Sequence, residues 1–189
     1  MEDAQLIHEF LGGNHQAFNA LIGRWQHRIH HFAYRYFANN DDAAEITQRT
    51  FIKAYQKLDT LDNDHKFGSW LYKIANNLCL DELKRVGRKK STSLEALKTA
   101  PKTDLHPAAD ANLLKNEAIV LLHKALLQLP ESQRVVVIMK EYEGLTFKEI
   151  AEIVDAPENT IKSRLYSGLK ALKTIFDAWH INKEVFSCD

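Results

Sequence analysis

The sequence predicts an all-α protein made of two small helical domains joined by a flexible linker. Strand patterns are nearly absent, because the 189 residues include only seven glycines and four prolines and no stretch of clean apolar–polar alternation. Apolar side chains instead recur at helical spacing along most of the chain. This spacing stops at residues 91–112, which contain two prolines and many Ser, Thr and Ala residues. We therefore expect domains at residues 1–90 and 113–189, each large enough for a modest core of its own.

The first domain is expected to contain three helices. Apolar residues at helical spacing predict a long helix over residues 18–36. A polar run then interrupts the pattern, and Asp41 or Asp42 is expected to cap a second helix that ends near Leu58. A third apolar stripe spans residues 67–78 and predicts the third helix.

The second domain is expected to begin with a helix over residues 113–129, and the pattern restarts after Pro130. Thr146 and Glu149 have the spacing of a capping box at the start of a short amphipathic helix. Pro157 cannot continue that helix, because its ring fixes φ and it has no N–H, so a tight turn is expected there. A last helix follows, with an apolar stripe at Ile161, Leu165, Leu169 and Leu172.

The opposite face of the last helix is polar and basic. It carries small or hydrogen-bonding side chains at Asn159, Ser163, Tyr166, Ser167 and Lys170, and Lys162 and Arg164 flank it. Two short helices joined by a tight turn form a helix-turn-helix pattern, in which small polar side chains approach base edges and flanking cations reach phosphates. Residues 160–175 hold four cations and no acid, which favours this interpretation over an ordinary helical hairpin with a solvated face.

The composition narrows the class of protein. The 25 Lys and Arg residues balance 25 Asp and Glu residues, which argues against a generic nucleic-acid coat protein but allows local basic surfaces. One basic run, KRVGRKK at residues 84–90, is expected beyond the end of the third helix, where it would meet phosphates. The N-terminus is acidic, the longest strongly apolar run is VVVIM, and the two cysteines lack C-x-x-C spacing. We therefore expect a cytoplasmic protein without membrane insertion.

Several stretches resemble the sigma subunits of bacterial RNA polymerase, specifically the small extracytoplasmic-function (ECF) subfamily of the sigma-70 family. In the second domain these are LP-x-x-x-R at residues 129–134, EGLTFKEIAEI at residues 143–153 and PENTIKSRL at residues 157–165. In the first domain they are HQAFNALIGRWQHRI, DDAAEITQRTFIKAY and FGSWLYKIANNLCLDELKR. A lone helix-turn-helix is a weak match, but this ordered set is specific. The resemblance implies that the first domain binds core polymerase and the minus ten element, and that the second binds the minus thirty-five element.

The resemblance assigns the outward face of the second helix to core polymerase. The spacing turns Phe51 and Ala54 inward and leaves an Ile exposed among polar groups, which suggests a partner helix. In the family this face docks on the clamp helices of the largest polymerase subunit, and the flap of the second largest subunit and an anti-sigma factor are further expected partners. An arginine stands at residue 49, where an acid is common in the family. The implied core-binding residues are Glu45, Gln48, Arg49 and Ile52.

The resemblance also implies two sets of promoter DNA contacts. The third helix and the loop before it, residues 60–66, would hold the non-template strand of the minus ten element, where a base must leave the duplex to be recognised. The implied minus ten residues are Tyr72, Lys73, Asn76, Asn77, Lys84, Arg85 and Arg88. The implied minus thirty-five residues are Asn159, Thr160, Lys162, Ser163, Arg164 and Tyr166.

Three other classes of protein fit the sequence less well. A helix-turn-helix regulator that does not bind core polymerase would need a ligand pocket or a phospho-acceptor in residues 1–90, and neither is evident. A metal sensor could use His27, His30 and His31, but a solvated helix face explains these residues better. No phosphate-binding loop, nucleophile elbow or carboxylate pair suggests an enzyme. We therefore expect no catalytic residue, metal or cofactor.

Overall fold

A computed structural model describes residues 2–92 and 111–180, and the side chains of residues 2–87 and 118–180. These residues form helices and turns without a strand, as the all-α prediction requires. Most of the expected linker lies outside the described residues. The helices are α1 (Asp3–Leu11), α2 (His15–Phe37), α3 (Asn40–Lys57), α4 (Phe67–Thr92), α5 (Ala111–Gln128), α6 (Glu131–Val137), α7 (Phe147–Val154) and α8 (Glu158–Ala178). We call α1–α4 the first unit and α5–α8 the second unit.

The cap of α3 differs from the expectation. Asn39, in extended backbone, accepts a hydrogen bond through its side chain from the backbone N–H of Asp42 at 2.9 Å. The prediction that Asp41 or Asp42 caps the helix is therefore wrong by two or three residues. Both carboxylates lie in the first turn, where they interact favourably with the positive end of the helix dipole.

Helix α4 is longer than expected. It continues through the basic run to Thr92, so the prediction that this run lies beyond the helix end is wrong. Lys and Arg are good helix formers, and Arg85 donates to Glu82 one turn earlier at 2.6–3.0 Å, which supports a helix at this point. The backbone of the basic run is therefore helical rather than a loose tail.

The first unit packs α2, α3 and α4 together, with α1 against α2. The stripe predicted for α4 is buried at Phe67, Leu71, Ala75 and Leu78. Helix α4 approaches α2 closely at Gly68, where an added Cβ would lie 2.5 Å from Cη2 of the Trp25 indole. Only glycine fits there without moving a ring that is itself 8% exposed.

The second unit places α8 against α6 and α7. Thr146 and Glu149 form the predicted capping box at the start of α7, and Asp155 ends that helix in the left-handed region with φ of 52°. After the turn, α8 passes close to α6 at Gly168, where an added Cβ would lie 2.9 Å from Cγ2 of Val137. This close approach fixes which face of α8 points outward.

The two units also pack against each other. Helices α2 and α4 contact the second unit through α5, α7 and a π-helical turn at Ile138–Tyr142. The buried apolar residues form one cluster that runs through both units. The packing between the units therefore extends the core of each unit into the other.

Candidate nucleic-acid interface

The polar face of α8 is open to solvent. Asn159, Lys162, Ser163 and Tyr166 are exposed, and Tyr166 is 67% exposed despite its aromatic ring. Thr160 and Arg164 are half-buried at the edges of this face. The structure therefore brings together all six residues that the sequence placed on this surface.

The apolar face of α8 departs from the prediction at one position. Ile161, Leu165 and Leu172 are buried, but Leu169 is 39% exposed and does not belong to the stripe. Gly168 is buried in its place, because α6 approaches so closely that no side chain fits. The assignment of Leu169 to the core is therefore wrong.

The turn and the preceding helix position the start of α8. The capping box orders the first turn of α7, with Thr146 accepting from the Glu149 backbone N–H at 3.2 Å and its own N–H donating to the Glu149 carboxylate at 2.8 Å. The ammonium of Lys162 lies 5.6 Å from the ring centre of Phe147, which is cation–π range. The Phe147 ring of α7 therefore contacts Lys162, one of the two cations that flank the polar face of α8.

Helix α4 presents only part of its predicted face. Lys73, Asn77, Lys84 and Arg85 are exposed. Tyr72 and Asn76 are 1% and 2% exposed, so the prediction that they face outward is wrong in this arrangement. The side chain of Arg88 lies outside the described residues.

The burial of Tyr72 has a clear physical reason. Its ring packs edge-on against Phe32 and Trp25, with ring centres 5.5 and 6.1 Å away, and its hydroxyl donates a hydrogen bond to the carboxylate of Glu143 in the second unit. Burial, followed by the nearby Glu143 charge, raises the pKa of Tyr72, so the phenol stays protonated and can donate. A buried tyrosine is tolerated because this hydroxyl has a partner.

Asn76 is buried without such a partner. Its side-chain Oδ1 accepts no hydrogen bond from the described residues. Unpaired buried polar atoms are uncommon and cost free energy. The Asn76 amide, one turn after Tyr72, is therefore a buried group whose hydrogen bonding is incomplete.

The outward face of α3 agrees with the prediction. Glu45, Gln48 and Ile52 are exposed, Arg49 is partly exposed, and Ile52 is 50% exposed. This face borders a groove of about 850 Å³ between α2 and α3. The apolar lining of the groove comes from Phe18, Ile22, Phe51, Ile52 and Tyr55.

Sequence reasoning missed Tyr55. It is 46% exposed at the edge of the groove and packs edge-on against Phe10 and Phe18, with ring centres 5.1 and 5.2 Å away. Its position three residues after Ile52 puts both on one helix face, and this spacing could have identified it.

The unusual Arg49 has acidic partners within the chain. Its guanidinium lies 3.2 Å from the Glu45 carboxylate and 3.8 Å from that of Glu82, which is almost fully buried. Arg85 holds the same Glu82 carboxylate with two nitrogens at 2.6–3.0 Å. Arg49 therefore lies nearest to Glu45 on its own helix, and it shares the Glu82 carboxylate with Arg85.

His27 and His31 are exposed on α2, away from its buried stripe. Among the residues that the structure describes, no group of three or more His, Cys, Asp or Glu side chains is placed to hold a metal ion. Within those same residues, no helix is both long and apolar enough to cross a bilayer.

Family models match both units of the chain. The model for sigma-70 region 2 matches residues 21–89, and the model for sigma-70 region 4 matches residues 119–172. The first match covers most of α2, all of α3 and most of α4, and the second covers α7 and most of α8. The outward face of α3 and the polar faces of α4 and α8 therefore lie inside the matched ranges.

Known proteins are similar over nearly the whole chain. The ECF RNA polymerase sigma-E factor of Escherichia coli (strain K12) is 31% identical over 180 residues, covering 91% of this chain and 93% of that protein. The ECF RNA polymerase sigma factor SigW of Bacillus subtilis (strain 168) is 30% identical over 167 residues, covering 85% and 89%.

Two solved structures have a similar fold. CnrH, solved in complex with the cytosolic domain of CnrY, aligns with a TM-score of 0.70 and 21% identity, covering 93% of this chain and 97% of that one. The sigma factor RpoE of Bartonella quintana, solved with the anti-sigma factor NepR, aligns with a TM-score of 0.69 and 23% identity, covering 85% and 96%. Each alignment spans both helical units.

Proposed function

The chain belongs to the ECF group of the sigma-70 family, and from this premise we propose that it is a cytoplasmic, non-enzymatic initiation factor that binds core RNA polymerase and directs it to a specific set of promoters. The observation that carries the proposal is the combination of two surfaces in one chain. The exposed polar and basic face of α8 suits a DNA groove, and the apolar groove between α2 and α3 suits a partner helix.

The α2–α3 groove is the proposed docking site for the clamp helices of the largest polymerase subunit. Half-exposed Ile52 and Tyr55 supply apolar area, and Gln48 supplies hydrogen-bonding groups beside them. An amphipathic helix can bury such a stripe in a groove of this kind. The Glu45 carboxylate, 3.2 Å from the Arg49 guanidinium, partly offsets the charge that the added arginine presents to the partner. The second unit would contact the flap of the second largest subunit, and an anti-sigma factor is a further proposed partner.

The face of α8 is the proposed minus thirty-five contact. Ser163 is exposed at its centre and is short enough to approach a base edge, whereas Lys162 and Arg164 at the flanks suit phosphates. Asn159, Thr160 and Tyr166 complete this surface. Tyr166 also brings an exposed ring that can contact a thymine methyl group or the sugar backbone.

The exposed face of α4 is the proposed minus ten contact. Asn77 can hydrogen-bond an extruded base of the non-template strand, and Lys73, Lys84 and Arg85 suit its backbone. Tyr72 and Asn76 are buried, so they can take part only after a rearrangement that exposes them.

Run-off transcription with purified core polymerase tests the proposal. Core polymerase supplied with the chain should produce transcripts from specific start sites on a library of genomic fragments, and core alone should not. A helix-turn-helix regulator that does not bind polymerase is the alternative. It would fail to co-elute with core polymerase and would give no new start sites, and that result would refute the proposal.

The docking surface has its own test. Gln48→Ala together with Ile52→Asp should weaken binding to core polymerase about tenfold or more, because a charge would replace an apolar anchor at the groove. A matched control is Gln5→Ala with Leu11→Asp on α1, where Leu11 is 52% exposed and does not line the groove. Affinity is measured by fluorescence anisotropy, and unchanged helical circular dichroism shows that the variants fold. Equal core affinity for the two double variants would mean that the wrong face has been assigned.

A further inference from the structure

We propose that Glu82 is a positioning residue that links the docking face of α3 to the minus ten face of α4. Its carboxylate is shared by Arg49 of the docking face and Arg85 of the minus ten face. Arg49 weakens the hold of Glu82 on Arg85, so that Arg85 can bind a phosphate of the DNA. This inference rests on the proposed function. We call Arg49, Glu82 and Arg85 the Glu82 network.

Glu82 is a buried acid that needs cationic partners. Its side chain is 8% exposed. A carboxylate removed from water stays charged only where opposite charges and hydrogen bonds replace the water. Arg85, one turn later on α4, supplies both. Its Nε lies 3.0 and 2.9 Å from the two carboxylate oxygens, and its Nη2 lies 2.6 Å from one of them. Arg85 is therefore the main partner of Glu82.

The contacts with Glu82 orient Arg85 without burying it. The Arg85 side chain is 53% exposed, and its bonds to Glu82 engage Nε and Nη2, which lie on one edge of the planar guanidinium. The end that carries Nη1 and Nη2 is the fork that binds a phosphate through two parallel hydrogen bonds. Glu82 therefore fixes the plane in which Arg85 meets DNA. Its negative charge, however, offsets the charge of Arg85 and opposes the approach of a phosphate.

Arg49 approaches the same carboxylate from α3. Its Nη1 lies 3.8 Å from Oε2 of Glu82 and 3.2 Å from Oε1 of Glu45. The distance to Glu82 is too long for a hydrogen bond, so Arg49 acts on this carboxylate through its charge. Oε2 of Glu82 is also one of the two oxygens that Nε of Arg85 contacts. A cation at residue 49 therefore lowers the negative potential that holds Arg85.

An excess of acids surrounds the two arginines. Asp42 lies close to the Glu82 network, because its pKa is raised first by partial burial and then by the charges of Glu82 and Glu45. Three acids, Asp42, Glu45 and Glu82, therefore compete for Arg49 and Arg85. With acids in excess, loss of the Arg49 charge leaves Arg85 more tightly held by the acid beside it.

Docking of a partner helix on α3 would change how Arg49 divides between its two acids. Glu45 is 55% exposed on the docking face and can pair with the partner, whereas Glu82 is buried and cannot. Water also leaves this face on docking, which strengthens the attraction between the charges that remain. Arg49 is then shared less with Glu45 and more with Glu82, and Arg85 is released toward DNA. Binding of polymerase thus favours binding of DNA, and by linkage DNA favours polymerase.

The Glu82 network is tested first in the free chain, without polymerase or DNA. A hydrogen-bonded Arg Nε–H exchanges slowly with water, so the exchange rate of Arg85 Nε–H, measured by nuclear magnetic resonance, reports the hold of Glu82. Glu82→Gln should raise this rate about tenfold, because a charged acceptor is lost. Arg49→Gln should lower it about threefold. Lys53→Gln, which removes the same charge one turn further along the exposed face of α3, should leave it unchanged. If Glu82→Gln or Arg49→Gln left the rate at the parent value, the proposal would be overturned.

The link to DNA is tested with purified holoenzyme and a single strand that carries the non-template minus ten element. Arg85→Gln should lower the salt dependence of binding by about one counterion. Arg49→Gln should weaken binding about threefold, because Arg85 then stays with Glu82, and should have no effect in a chain that carries Glu82→Gln. Equal effects of Arg49→Gln in the two backgrounds would show that the charge at residue 49 acts on DNA directly, and the role of Glu82 would be wrong.

The two experiments separate this inference from the proposed function. If the parent chain formed no holoenzyme, the proposed function and the link to DNA would both be refuted, whereas the exchange rates would still show whether Glu82 is shared. If holoenzyme formed but Arg85→Gln left the salt dependence unchanged, the link to DNA alone would be refuted. Glutamine keeps the size of Glu82, and unchanged helical circular dichroism shows that each variant folds.

Discussion

Helices α4 and α8 are both predicted to contact DNA, yet their polar faces are exposed to different extents in the structure. On α8, four of the six predicted residues are exposed and the other two lie at the edge of the surface. On α4, Tyr72 and Asn76 are buried and Arg85 is paired with Glu82. One cause is that α8 packs mainly against α5, α6 and α7 of its own unit, whereas α4 packs against α2 and α3 and also against α7 of the other unit.

This difference shows what helical periodicity can establish. An apolar stripe identifies the side of a helix that faces the local core, and the remaining side is solvated only if nothing else packs there. One contact between α4 and the second unit is polar, because Glu143 accepts a hydrogen bond from Tyr72, and such a contact leaves no apolar stripe in the sequence. Helical periodicity therefore predicts the exposed residues of α8 well and those of α4 only in part.

The largest expected effect concerns the packing of α4. Gly68→Ala would place a Cβ 2.5 Å from the Trp25 ring, whose Nε1 donates to Asp3 at 2.9 Å, so the ring cannot easily move. We expect a loss of about 2 kcal/mol in unfolding free energy. Gly23→Ala on α2 is the matched control, since an added Cβ there meets nothing within 4 Å and alanine favours a helix by up to about 1 kcal/mol. Urea unfolding should move the two midpoints in opposite directions, and a shift in the same direction would show that α4 is less tightly packed than described.

A smaller effect is expected at the exposed part of α4. Asn77→Ala should weaken open-complex formation by about 1–2 kcal/mol, because an extruded base would lose a hydrogen-bond partner. Asp81→Ala, exposed one turn further along, is the control and should not impair opening. Permanganate footprinting at limiting temperature measures the bubble. A normal bubble with Asn77→Ala would remove the exposed face of α4 from the proposed site.

The smallest expected effects separate the centre of the α8 face from its flank. Ser163→Ala should change which minus thirty-five sequences are preferred, whereas Lys162→Ala should weaken all sequences about equally and lower the salt dependence by about one counterion. A randomised-promoter selection with each mutant holoenzyme at two salt concentrations measures both. If Lys162→Ala reshaped the preferred sequence and Ser163→Ala did not, the rotation of α8 assigned here would be incorrect.

Much of the fold could be predicted because it depends on local patterns. The long stripe of α2, the capping box of α7 and the break at Pro157 are each encoded within a few residues, and all are present in the structure. The exposure of Ile52 followed from its position opposite Phe51 and Ala54.

Other features depend on contacts between distant parts of the chain. Leu169 is exposed because α6 crosses α8 at Gly168, and α6 lies some thirty residues earlier in the sequence. Asn76 is buried although an amide is ordinarily a surface residue. Helix α1 was not predicted, because its two buried residues, Leu6 and Ile7, form too short a stripe to stand out. The sequence pattern within one helix carries no information about packing against other helices.

The comparison between α4 and α8 is tested most directly by DNA binding of the free chain and of the holoenzyme. Two fluorescent probes are titrated with each protein: a duplex carrying the selected minus thirty-five element and a single strand carrying the non-template minus ten element. We predict that the free chain binds the duplex weakly and the single strand hardly at all, whereas the holoenzyme binds both. If the free chain bound the minus ten strand as tightly as the holoenzyme does, packing of the second unit on α4 would not limit DNA binding by that helix.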